Sequence, residues 1–173
     1  AGAVGVGVGA HSRQRSGPAG GGIWPIISFP LFRAHSMVVI LKVGGLAAAA
    51  DCIRAHIAHD ARPWKLVHVS TLNQARLALA RERIDLLLIH HQLPDGDALS
   101  AELPVAGVLQ LVSIDPGFES VAAQALDQGF NDYVVEATHD GYGAVMLAQI
   151  SSALRHRETT RTLHRQHGLL SAI

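Results

Sequence analysis

His90 and His91 stand side by side, with Asp95 and Asp97 close behind, a set that could supply imidazole and oxygen ligands to a metal or carry a phosphoryl group on a histidine. Adjacent residues at a strand end point to opposite sides, so the two imidazoles are not expected to share one ion. His90 then reads as a rim residue, His91 as a partly buried one, and no metal is expected. The chain holds eleven histidines, scattered except for a loose group at His156, His164 and His167, which fits a solvated helix face better than a pH sensor. Cys52 is the only cysteine, which excludes an internal disulfide, a CxxC redox site and a cysteine zinc cluster. It reads as a small buried thiol. Gly44-Gly45 lacks the G-x-G-x-x-G spacing of a dinucleotide loop, and the strand ending His68-Val69-Ser70 offers no acid to hold a ribose. No cofactor is expected, although a helix starting after two glycines can bind an anion.

These residues need elements to position them. From Met37 onward, short apolar runs alternate with helical patterns, which implies strand and helix units around a parallel sheet. Strands are expected at Val38–Val43, Trp64–Val69, Ile84–Ile89, Val105–Val112 and Asp132–Val135. Helices are expected from about Leu46 to His59, from a Ser70 cap to about Arg83, from Asp115-Pro116 to a stop at Gly129, and from near Asp140 onward. The expected fold class is α/β, a three-layer doubly wound five-stranded parallel sheet of order 2-1-3-4-5.

Residues 1–36 are Gly- and Ala-rich and carry three arginines and no acid, which leaves 11 basic and 14 acidic side chains in residues 37–173. The first segment reads as a flexible leader, native or added, with a docking arm built on Ile23 to Phe32 as the rival. Met37 is a candidate natural start. A domain over 37–157 follows, and 158–173 reads as an exit helix towards an output domain. Near-neutral charge argues against a partner held by charge alone, such as nucleic acid. No run suits a membrane span or a secretion signal, since Ile23 to Phe32 contains two prolines. A cytoplasmic setting is the default.

The segments Asp85-Leu-Leu-Leu-Ile-His90-His-Gln-Leu-Pro94-Asp95-Gly-Asp97 and Ala125-Leu-Asp-Gln-Gly129-Phe-Asn-Asp132-Tyr133-Val-Val-Glu136 resemble the receiver domain of bacterial response regulators, over about residues 37–157. That resemblance implies a CheY-like, flavodoxin-like fold. In the family an acidic pair after the first strand and an aspartate after the third hold Mg²⁺, and the aspartate takes a phosphoryl group; a hydroxyl after the fourth strand and a lysine after the fifth contact it. Here Gly44 and Gly45 stand for the acidic pair, His90 for the phosphoacceptor and Glu136 for the lysine, while either Ile114 or Ser113 falls at the hydroxyl. These are the degenerate receiver positions, and they imply no catalytic residue and no enzyme activity.

From Pro94 to Ser113 is 19 residues, short for a third helix plus a fourth strand, and Ala98 to Glu102 leaves room for one or two turns. Tyr133 reads as a packing or interface residue, and Leu147, Ile150 and Leu154, on one stripe with Val145, as interface candidates. The expected function is a non-phosphorylatable regulatory domain of a two-component or cyclic-di-GMP signalling protein, working through a protein partner, a homodimer or its own downstream output domain. The rival is a flavodoxin-like small-ligand or metal-binding domain using Gly44, Gly45, His90 and Asp95.

Overall fold

The computed structural model describes residues 37–170, so the leader expected over 1–36 lies outside the described residues. In chain order the elements are β1 (Val38–Val43), α1 (Ala47–Ile57), β2 (Trp64–Val69), α2 (Leu72–Arg81), β3 (Leu86–His90), β4 (Gln92–Leu93), β5 (Gly96–Asp97), β6 (Leu109–Ile114), α3 (Glu119–Asp127), β7 (Asp132–Val135) and α4 (Tyr142–Leu170). Five parallel strands form one sheet of order β2-β1-β3-β6-β7, which is the expected 2-1-3-4-5 once the small antiparallel β4–β5 ribbon is set aside.

The apolar strands explain the order. Every residue of β3 is buried, and so is β1 apart from Val38, as a strand covered on both faces requires. Ile40 pairs with Leu86, and Leu86 in turn with Leu109. Alternation then divides the side chains into two cores. Ile40, Leu86, Leu88, Leu111 and Val134 meet Ala49 and Ile53 of α1 and Met146, Leu147 and Ile150 of α4. On the other face Val39, Leu41, Val43, Leu87 and Ile89 meet Leu72 and Ala75 of α2, while Val112 and Ile114 meet Ala122 and Ala125 of α3. Each fully buried Leu or Ile contributes roughly 1.5–3 kcal/mol.

Several local expectations change. Thr71, not Ser70, caps α2, accepting from Gln74 N at 3.2 Å. Asp95 adds to that cap from across the molecule, accepting from Leu72 N at 2.8 Å and Asn73 N at 3.1 Å. The Leu72 bond, joined by that from Asn73, holds the Asp95 carboxyl below its ordinary range. Asp115-Pro116 opens a turn and not a helix, because Gly117 takes φ +91°, and α3 begins only at Glu119. No helix forms at Ala98–Glu102. The β4–β5 ribbon and an irregular stretch fill that place, with Ala98, Leu103, Val105 and Val108 covering the sheet. Gly107 at φ +77° turns the chain there, so the next strand starts at Leu109 and not at Val105. In α4, Met146, Leu147 and Ile150 face inward and Val145 is 55% exposed, so the stripe foreseen through Val145 is displaced; the helix runs unbroken past residue 157.

Candidate functional site at the carboxyl edge of the sheet

The strands β1, β3, β6 and β7 end together at Gly44-Gly45, His90-His91, Ser113-Ile114 and Glu136, the edge where ligands bind in open parallel sheets. Alternation puts Lys42, His90, Ser113 and Glu136 on one face, that of Ile40, Leu88, Leu111 and Val134, and sends Ile114 to the other, against α3. Of the two residues considered at the hydroxyl position, Ser113 therefore lies with the rest. Its Oγ is buried without a hydrogen-bond partner.

At the centre is a residue that the sequence reading passed over. Lys42, fully buried inside β1, donates from Nζ to Glu136 Oε1 at 2.7 Å and to Gly44 O at 2.8 Å. Glu136 Oε1 also accepts from Leu46 N at 3.2 Å, and the Glu136 amide donates to Ile114 O at 2.8 Å. Leu46 has no capping side chain of its own, so the carboxylate serves as the anion at the N-terminus of α1. The positive charge therefore sits on the first strand and the negative one beyond the last, the reverse of the arrangement that the receiver resemblance implies. A lone lysine inside the run VVILKV was the available signal, since a strand buried on both faces tolerates such a charge only with a partner.

Close packing enforces this arrangement. Gly45 has φ +69°, and a Cβ there would stand 2.2 Å from Glu136 Oε2. No acidic side chain fits at that position while Glu136 keeps its place. His68, paired with Lys42 across β1 and β2, has its imidazole pKa lowered, first by burial and then by the Lys42 ammonium. Tyr142 closes the inner side, and burial pushes its hydroxyl well above the usual range, with Glu136 adding to the effect.

His90 and His91 also depart from expectation. β3 ends at His90 and the chain bends at once, so strand alternation no longer applies, and the two rings lie 4.6 Å apart on centroids. His91 is 3% exposed, has Phe118 on its other side at 5.0 Å, and neither of its ring nitrogens has a hydrogen-bond partner. His90 Nδ1 lies 2.9 Å from Gln92 O and 3.3 Å from Gln92 N. Either ring tautomer fits these two contacts, and Nε2 faces Glu136 Oε2 at 3.3 Å and Asp115 Oδ1 at 3.5 Å, within reach to donate when it carries the proton. Asp95 and Asp97, considered above as extra oxygen ligands, cap local backbone instead, Asp97 accepting from Leu99 N at 3.1 Å.

These residues do not fit Mg²⁺. A hard cation needs several oxygen ligands, whereas Gly44 and Gly45 offer no side-chain oxygen and an ammonium already pairs with Glu136. A concavity of about 1160 Å³ lies at the opposite edge of the sheet, by Leu109, Asp132 and Arg157, away from this chemistry.

No family model and no curated protein sequence matches the chain. Solved structures do. The signal receiver domain of an HD domain-containing protein from Pseudomonas fluorescens is 19% identical, with a TM-score of 0.58 over 72% of this chain and 99% of that one. A CheY-like response regulator receiver domain from Methanospirillum hungatei is 17% identical, with a TM-score of 0.60 over 72% and 99%. The receiver domain of a Luxo repressor protein from Vibrio parahaemolyticus is 14% identical, with a TM-score of 0.60 over 74% and 98%. Residues 37–170 thus have the CheY-like receiver fold. Among the described residues, no helix is long and apolar enough to cross a membrane.

Proposed function

We propose that the chain is a response-regulator-like signalling domain that takes no phosphoryl group and acts through protein contacts, either with a second copy or with an output domain. The observation that carries this reading is the buried Lys42–Glu136 pair. It fills the pocket with the chain's own charges and places a carboxylate where an incoming phosphate would meet repulsion. His90 at the third strand end offers no carboxylate to attack phosphorus.

The contact surface in this proposal differs from the residues first considered. Leu147 and Ile150 are 2% and 0% exposed and hold α4 to the sheet, and Leu154 packs partly against the same core. Tyr133, Val135 and Val145, each at least 36% exposed, line a groove of about 500 Å³ between β7 and α4 and remain available.

The test is to add Mg²⁺ with acetyl phosphate or beryllium fluoride and follow the melting temperature and amide spectra. We expect a change of less than about 1 °C and unmoved amide signals, because a ligand stabilises only the state that binds it. A rise of several degrees would overturn the proposal.

A further inference from the structure

We propose that His90, His91 and Asp115 form a binding site for a divalent transition-metal ion such as Zn²⁺, at the mouth of the pocket and separate from any phosphoryl chemistry. One ligand atom from each lies within 4.8 Å of the others. Three observations carry the assignment.

First, His90 Nδ1 lies 2.9 Å from Gln92 O, where it can make the second contact that ordinarily fixes a metal-binding imidazole, and Nε2 is directed inward. Second, Nε2 faces two carboxylate oxygens, at 3.3 and 3.5 Å, a grouping that favours a cation, either a proton on Nε2 or a metal ion in its place. Third, His91 is 97% buried, lies beside His90 with the rings 4.6 Å apart, and has both ring nitrogens unpartnered, which is unfavourable unless a ligand uses one of them.

The donor set names the ion class. Two imidazoles and one carboxylate suit borderline ions such as Zn²⁺, not Mg²⁺ or Ca²⁺. Lys42 engages Glu136 through Oε1, so Glu136 Oε2 borders the site and Asp115 is the carboxylate free to serve as a ligand beside the two rings. Bonds of about 2.05 Å in a tetrahedron put ligand atoms about 3.4 Å apart. The His90–Asp115 distance of 3.5 Å already matches, all three ligand atoms lie within 4.8 Å, and Asp115, whose side chain is 42% exposed, has room to adjust and leaves an entry path.

The test uses the full chain, stripped by chelator and then titrated with Zn²⁺ by calorimetry, with Co²⁺ absorption reporting the ligand geometry. We expect one Zn²⁺ per chain, at least about tenfold weaker binding in His91→Gln and in Asp115→Asn, and no change in His156→Gln, which removes an exposed histidine. Because His91 is buried, Asp115→Asn is the decisive variant, being at a partly exposed side chain that the fold does not need. No zinc binding, or equal binding by the parent and Asp115→Asn, would overturn the site; so would an NMR spectrum showing His90 doubly protonated and unmoved by zinc.

Discussion

Lys42 and Glu136 are each inexplicable alone and sufficient together. A buried ammonium or carboxylate left without its partner is strongly unfavourable, whereas an apolar pair of similar volume is not. Lys42→Met or Glu136→Leu alone should therefore lower stability by roughly 3–5 kcal/mol, while the double variant should end within about 2 kcal/mol of the parent, the remainder being the lost anion at the start of α1. Urea unfolding of the four proteins measures this as a double-mutant cycle; equal and additive losses would mean the pair is not coupled. At this scale the sequence was half legible. Gly44, Gly45, His90 and Glu136 could be placed by counting along strands, because strand ends are marked by where apolar runs stop. Lys42 could not, since β3 and β6 stand between β1 and β7, and only the folded sheet brings the residue after β7 back to the end of β1.

Elements were read well where hydrophobic period and length agreed. β2 and β7 fall on the expected residues, and Gly129 at φ +97° ends α3's turn as foreseen. The segment between β3 and β6 was misread because its apolar residues, Leu103, Val105 and Val108, cover the sheet from an irregular backbone whose spacing resembles neither helix nor strand. Helix contacts carry their own requirement. At Gly143, an added Cβ would stand 2.3 Å from the backbone oxygen of Cys52, so α1 and α4 approach each other at a point where only glycine fits. Gly143→Ala should lower stability by about 1–3 kcal/mol despite alanine's better helix propensity. Thermal or urea denaturation checks it, and a stabilised variant would show that the helices part at little cost.

For the molecule as a whole, β7 is an edge strand of only four residues, and its exposed Tyr133 and Val135 adjoin Val145 of α4. If the proposed self-association uses this face, Val145→Asp should convert dimer to monomer in light scattering at tens of micromolar, with the melting temperature of the monomer fold kept. Truncation after residue 154 should weaken the dimer too if α4 contributes along its length. A monomer in the unaltered protein at high concentration would leave an output domain or another protein as the only partner. Fold class was legible at this scale because parallel sheets need continuous apolar strands and regular crossovers, both visible in the chain.

The carboxylate at the head of α1 belongs to the polypeptide. A phosphoryl group bound by a hydrolysable bond departs after a characteristic time and so gives a signal its duration. The contact of Glu136 with Leu46 N and Lys42 Nζ has no such clock, because nothing in it can be cleaved and replaced. On the proposed reading, any duration in what this domain conveys comes from the arrival and departure of something else, an ion or a partner, whose concentration then sets the response.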